Sequence, residues 1–142
     1  YREEILHADG FIIGTGVHWS NWSSTFQKFL EDATTDEKTE LWIGKPCGVI
    51  VTSHSYGGSE VLSKIVTTMN LFGCYTPPLC LMSYSMAEHN ALKINNNENE
   101  YWRLDDIDTI CNNFTEAING GKNWESWKNH PDNISLTKAW LK

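Results

Sequence analysis

The sequence predicts an α/β domain built around a parallel sheet. Short apolar runs alternate with segments of helical period, in the order strand, helix, strand, helix, strand, long loop, helix. The runs are apolar on consecutive residues and bounded by glycine or proline, as strands covered on both faces are. Loops of small and polar residues follow the first two runs. Strands that alternate with helices pair in parallel through right-handed crossovers. Ligands of such sheets sit at the carboxyl ends of the strands.

Residues 8–13, Ala-Asp-Gly-Phe-Ile-Ile, form the first strand, closed by Gly14-Thr15-Gly16. A polar and aromatic loop over 17–21 leads into a helix over 22–32. Trp22, Phe26, Phe29 and Leu30 share its apolar face, and Ser20 or Asn21 is placed to cap it. Residues 34–40 are polar and read as surface loop. Gly44-Lys45-Pro46 introduces the second strand, residues 47–52, Cys-Gly-Val-Ile-Val-Thr. A loop over 53–58 precedes a helix over 59–72, with Val61, Leu62, Ile65, Val66 and Met69 inward and Gly73 as its C′ glycine. The third strand is expected over 79–82, after Pro77-Pro78. Residues 84–101 are Asn-rich and aperiodic and predict a long loop. Leu104, Ile107, Ile110, Cys111, Phe114 and Ile118 line a further helix, which Gly120-Gly121 stops. Residues 122–142 carry Trp124, Trp127 and Trp140 among polar residues, a tail expected to lie on the domain.

The 142 residues suit one domain over 1–142. A hydrophobic share of 40% supports a packed core and argues against disorder. The net charge of −7 argues against nucleic acid as a partner, whose phosphates call for a basic surface. No apolar run approaches the ~20 residues that span a bilayer, so no membrane partner is expected. The four cysteines make no C-x-x-C pair, which disfavours a zinc ribbon or a thioredoxin-type site. Cys47, Cys74 and Cys80 lie in or beside apolar segments and are expected to be buried thiols, which fits a reducing, cytoplasmic setting. The histidines lack metal-ligand spacing, so no metal is expected.

Two loops carry the chemistry. Residues 14–23 combine glycines, which admit close backbone approach, with His18, Trp19 and Trp22, which offer flat faces to a planar ring. Hydroxyls and the Asn21 amide could bond the polar edge of that ring. Residues 52–60, Thr-Ser-His-Ser-Tyr-Gly-Gly-Ser-Glu, leave a strand and enter a helix, so their N–H groups can hold an electron-rich oxygen. Each loop taken alone is equally consistent with plain packing.

The combination is more specific. Residues 8–15, with His18-Trp19-Ser20-Asn21 and Phe29-Leu30-Glu31, resemble the third strand, flavin loop and helix of a known group. That group is the NAD(P)H-dependent FMN reductases and quinone reductases of the flavodoxin-like superfamily. Trp42-Ile43-Gly44-Lys45-Pro46 is similar to its W…GK segment, and Thr52-Ser53 with Gly57-Gly58 and Glu60 to its next flavin loop. The resemblance covers residues 5–82. It implies a flavodoxin-like, three-layer α/β/α fold, of which this chain is the C-terminal two thirds. It further implies FMN as cofactor and NAD(P)H as electron donor. Carried over, Thr15, Val17, His18, Trp19, Ser20 and Asn21 are flavin-binding, as are Thr52, Ser53, Gly57 and Gly58.

Two positions depart from the group, which usually has Pro at Gly16 and often Gly at Ser20. The group's opening strand, phosphate loop, helix and second strand have no counterpart from Tyr1 onward. That predicts an incomplete domain without the FMN phosphate site, binding FMN poorly by itself. Its first strand would be an open edge.

The resemblance implies an FMN-binding oxidoreductase that passes electrons from NAD(P)H to a quinone, flavin or similar small-molecule acceptor. His54 or Tyr56 would protonate or position the acceptor. A homodimer or homotetramer would cover the open edge. One alternative is an α/β-hydrolase with Ser55 as nucleophile, His89 or His130 as base, and Asp105 or Asp108 as acid. Another is a non-catalytic flavodoxin-like electron carrier or scaffold. A Rossmann site at Gly14-Thr15-Gly16 is disfavoured, because Trp19 stands where its third glycine belongs.

Overall fold

The computed structural model describes residues 1–94 and 106–121. Among them, three parallel strands form one sheet, in the order β1 (Phe11–Gly16), β2 (Cys47–Ser53), β3 (Leu81–Ser85). Phe11 pairs with Cys47 at one end of the first ladder and Gly16 with Thr52 at the other. The second ladder runs from Val49↔Leu81 to Ser53↔Ser85. Helices α1 (Arg2–His7), α2 (Ser24–Ala33) and α3 (Gly58–Phe72) cover one face. Helix α5 (Asp106–Ile118) covers the other, and α4 (Met86–Ile94) follows directly from β3. This is the flavodoxin-like α/β arrangement expected from the sequence.

The larger core lies under α1–α3. Val49 and Val51 of β2 meet Val61, Ile65 and Met69 of α3, with Leu30 and Trp42 alongside. On the opposite face Met82 and Cys80 pack with Ile110 of α5. Each such side chain stabilises the fold by about 1.5–3 kcal/mol relative to exposure. Beside β1 the packing is thinner. Among the described residues this strand is bonded on one side only, and Ile12 is half exposed. A cleft of about 390 Å³ opens there between α1, β1 and α2, with Ile5, Phe11, Phe29 and Trp42 in its walls.

The element boundaries differ from expectation where tertiary contacts override local signals. β1 starts at Phe11, whose N–H donates to Pro46 O, and runs through Gly14 and Gly16, which pair with Ile50 and Thr52. Glycines expected to close the strand are kept in it by the ladder. Gly10 cannot carry a Cβ, which would lie 2.8 Å from Phe114 and Pro46 side-chain atoms.

Helix α2 begins at Ser24 and is capped by Ser23, whose Oγ accepts from Phe26 N. Ser20 and Asn21 belong instead to a reverse turn. α1 was not anticipated, being too short for periodicity; Lys45 Nζ satisfies its last carbonyls, at 2.6 Å from Ile5 O and 3.1 Å from Leu6 O. β3 begins two residues late because Leu79 turns through φ 58°.

The loop expected over 84–101 is corrected in its first part. Tyr84 and Ser85 end β3, and residues 86–94 are helical. Met, Ala, Glu, Leu and Lys are good helix formers, and the Ser85 hydroxyl accepts from Glu88 N. Residues 95–101, Leu104 and the tail over 122–142 lie outside the described residues. Gly73 ends α3 at φ 117°, as expected of a C′ glycine.

All four cysteines are free, and Cys111 alone is exposed. Burial pushes the Cys47 thiol up to about 12 and those of Cys74 and Cys80 up to about 11. Thiolate is the reactive form. One thiol of the four is therefore expected to react with Ellman's reagent in the native protein at neutral pH, and all four after denaturation. Fast native labelling of two or more would contradict this packing.

Candidate functional site

Two loops meet at the carboxyl ends of β1 and β2. Val17 N donates to Thr52 O at 2.8 Å, one step beyond the ladder. His18 and Asn21 then exchange both main-chain hydrogen bonds, at 2.7 and 3.0 Å. The turn so closed holds Trp19 at φ 52° and Ser20 at φ 58°. Positive φ at both central residues is the type I′ pattern. For residues other than glycine it costs about 1–2 kcal/mol each. The Trp19 side chain stands at the tip, 95% exposed.

The second loop turns at Gly57, with φ 86°, and enters α3 at Gly58. The loops touch at this point. A Cβ on Gly57 would lie 3.0 Å from Ser20 Oγ and 3.3 Å from both Ser20 Cα and Val17 Cγ1. Gly58 sits so close to β3 that its Cβ would overlap the Ser83 hydroxyl. Both glycines are required by close approach.

Beside this contact lies a hollow of about 370 Å³. Ser20, Ser53, Tyr56, Gly57 and Gly58 line it, as does Ser55. Ser59 and Glu60 at the start of α3, Ser83 and Ser85 of β3, and Glu88 of α4 complete the wall. Ser53 donates to Tyr84 O and Ser85 to Ser55 O, while among the described residues no hydrogen bond engages the Ser55, Ser59 or Ser83 hydroxyl. Glu60 is held below the usual carboxylate range by its bond to Lys64.

The expected site residues thus divide. Ser20, Ser53, Tyr56, Gly57 and Gly58 share the hollow. Val17, His18, Trp19 and Asn21 build the adjoining turn. Thr15 Oγ1 is engaged within the chain, accepting from Ser23 N and donating to Gly16 O. Thr52 and His54 contribute carbonyls, to Val17 N and Ala87 N, and are themselves exposed. Trp22 packs edge-on against Phe26 at 5.7 Å and donates to Gln27.

Ser83, Ser85 and Glu88 escaped the sequence reading. The switch from Leu81-Met82 to Ser83-Tyr84-Ser85 marks the carboxyl end of a strand beside β2, where ligands of parallel sheets bind.

The alternatives find little here. Ser55 has no left-handed φ, as a strained nucleophile elbow would require. The His89 ring meets Tyr84 at 5.6 Å, tilted by 49°. His130 and Asp105 lie outside the described residues. Gly14 and Gly16 are strand residues, not a dinucleotide loop. Among the described residues no cluster of three or more His, Cys, Asp or Glu side chains could hold a metal. No helix of the described residues is long and apolar enough to cross a membrane.

A parallel sheet with helices on both faces, whose first two carboxyl-end loops meet, defines a flavodoxin-like α/β domain. The chain belongs to the NADPH-dependent FMN reductase family, whose family model matches residues 1–89. FMN and NAD(P)H are the cofactors that membership implies.

No curated protein matches the sequence. Among solved structures, RosB with bound 8-demethyl-8-formylriboflavin-5'-phosphate is similar in fold, with a TM-score of 0.66 at 13% identity. The alignment covers 99% of this chain and 58% of the RosB chain, so this chain spans little over half of that relative's length. An NADPH-quinone reductase from P. pentosaceus aligns over 87% of this chain and 73% of its own, at 11% identity and a TM-score of 0.49.

The residues present fit the ring side of FMN. A hollow within the ~300–1,000 Å³ range of small-ligand pockets is lined by Ser20, the residue that follows the exposed Trp19 in the turn. Free hydroxyls suit a hydrogen-bonding pyrimidine rim.

Proposed function

We propose that the protein is an FMN-dependent oxidoreductase that passes electrons from NAD(P)H to a quinone, a flavin or a similar small acceptor. The observation that carries this reading is the contact of Val17 and Ser20 with Gly57 beside a serine-lined hollow that Ser20 and Gly57 both line. RosB, similar in fold, is recorded with a flavin phosphate bound.

FMN, when bound, supplies a ring that takes up a hydride and hands on electrons. The chain's own residues bind and orient. Trp19 and His18 would flank the ring plane. Ser20, Ser53, Ser83 and main-chain N–H groups near Gly57 and Gly58 would face its polar rim. Exposed His54 and Tyr56 position or protonate the acceptor. Thr15, Val17, Asn21 and Thr52 hold the loops in place through the bonds described above. No nucleophile is needed.

Residues 1–142 act as one domain, with 122–142 as its tail. Three buried thiols suit a reducing cytoplasm, and the one-sided β1 suits a homodimer or homotetramer.

The test is an anaerobic titration of the full-length protein with FMN, followed by NADPH and then a quinone. FMN fluorescence should be quenched on binding, the flavin bands bleached by NADPH, and the colour restored by the quinone. Bound FMN that stays unbleached would indicate an electron carrier. No uptake of FMN, or covalent labelling of Ser55 by a phosphonate, would overturn the reading.

A further inference from the structure

The turn that presents Trp19 does not hold itself. Trp19 and Ser20 are both left-handed, a conformation that neither residue favours. Inside the turn the His18–Asn21 pair opposes relaxation. From outside, Lys64 Nζ donates to Ser20 O at 3.1 Å and pairs with Glu60 Oε1 at 2.8 Å. The Glu60 carboxylate is held in its charged form chiefly by Lys64. Ser20 is therefore gripped at its carbonyl from α3 and packed at its side chain against Gly57.

The grip has a rigid base. Glu60 and Lys64 are one helical turn apart, so they share a side of α3. Val61 and Ile65, next to each of them in sequence, are fully buried. Gly57 closes the other side of Ser20. A glycine at position 20 would adopt positive φ at no steric cost. Ser20 at φ 58° carries a strain that glycine would not, and the bond from Lys64 opposes its release.

We propose that Lys64 and Glu60 are positioning residues for the flavin-facing turn, holding Ser20 from α3 so that the Trp19 indole forms one wall of the site. The inference rests on the flavin reading above and assigns neither residue a contact with the reacting atoms.

The experiment compares Lys64→Met and Lys64→Arg with the wild type, using the intact protein and FMN itself. Three quantities are read: the FMN dissociation constant, the melting temperature, and amide exchange at Asn21 without FMN. Lys64→Met should weaken FMN about five- to tenfold, as loss of a charge-assisted contact to a strained turn implies. It should speed exchange at Asn21, whose N–H closes the turn, and leave the melting temperature within about 2 °C. Lys64→Arg should restore affinity to within about twofold, because it keeps a long cationic donor.

Wild-type affinity and exchange in Lys64→Met would overturn the clamp while leaving the flavin reading intact. So would a fall in melting temperature with no selective change at Asn21. A wild type that takes up no FMN, with exchange still faster in Lys64→Met, would overturn the flavin reading and the purpose assigned to the clamp.

Discussion

Replacing Trp42 with alanine is expected to destabilise the fold by about 3–5 kcal/mol, the range for deleting a buried large aromatic. Trp42 is 1% exposed and lies where three elements converge. Its ring meets Phe11 of β1 at 5.1 Å, Phe29 of α2 at 6.2 Å and Phe72 of α3 at 5.3 Å. It also walls the cleft beside β1, so the void left by truncation would merge with existing space. A domain of this size has about 5–15 kcal/mol in all. The variant should unfold at much lower urea, with its near-ultraviolet dichroism weakened. Trp42→Phe should lose far less. It keeps an aromatic ring and removes the indole N–H, which is buried without a hydrogen-bond partner. A loss below about 1 kcal/mol for the alanine variant would show that this ring does not hold the layers together.

The second large effect is expected at Gly57. Valine there must adopt φ 86°, which costs about 1–2 kcal/mol or more for a β-branched residue. Its Cβ would also press on Ser20 Cα and Val17 Cγ1 at 3.3 Å. Overpacking of this kind costs about 1–3 kcal/mol. α3 is anchored by Val61, Ile65 and Met69, whereas the Trp19 turn is exposed, so the turn is the part that yields. Affinity for FMN should then fall by more than about tenfold, beyond what any loss of stability explains. Fluorescence titration alongside thermal melting separates the two. Wild-type affinity in Gly57→Val would place the ring away from this junction.

Much of the fold was legible because it rests on composition and period. The apolar residues 47–51, the helical face from Val61 to Met69 and the terminating Gly73 carry their roles wherever they are packed. The errors fell where a partner decides. Gly14 and Gly16 look like a strand terminus until Ile50 and Thr52 pair with them. Ser20 and Asn21 look like helix caps until the His18–Asn21 turn claims them. Residues 86–94 look like the start of a loop, although their helix propensity was readable and was outweighed by the asparagines that follow. In the site, Thr52-Ser53 and Gly57-Gly58 were visible from the pattern between strand and helix. Ser83, Ser85, Glu88 and Lys64 were not: the polar switch after Leu81-Met82 marks a strand end, but packing decides which side chains there face the hollow and which helical residue reaches the turn.

By itself, then, the order of residues determined a parallel α/β domain, the two loops at its ligand edge, and the buried state of Cys47, Cys74 and Cys80. These depend on short-range patterning and on the free energy of removing apolar groups from water. The packed structure alone decided that Trp19 stands exposed on a left-handed turn, that Gly57 touches Ser20, and that Lys64 reaches its carbonyl. Such contacts join residues distant in the chain, and chain entropy allows them only once the sheet and α3 have brought their ends together.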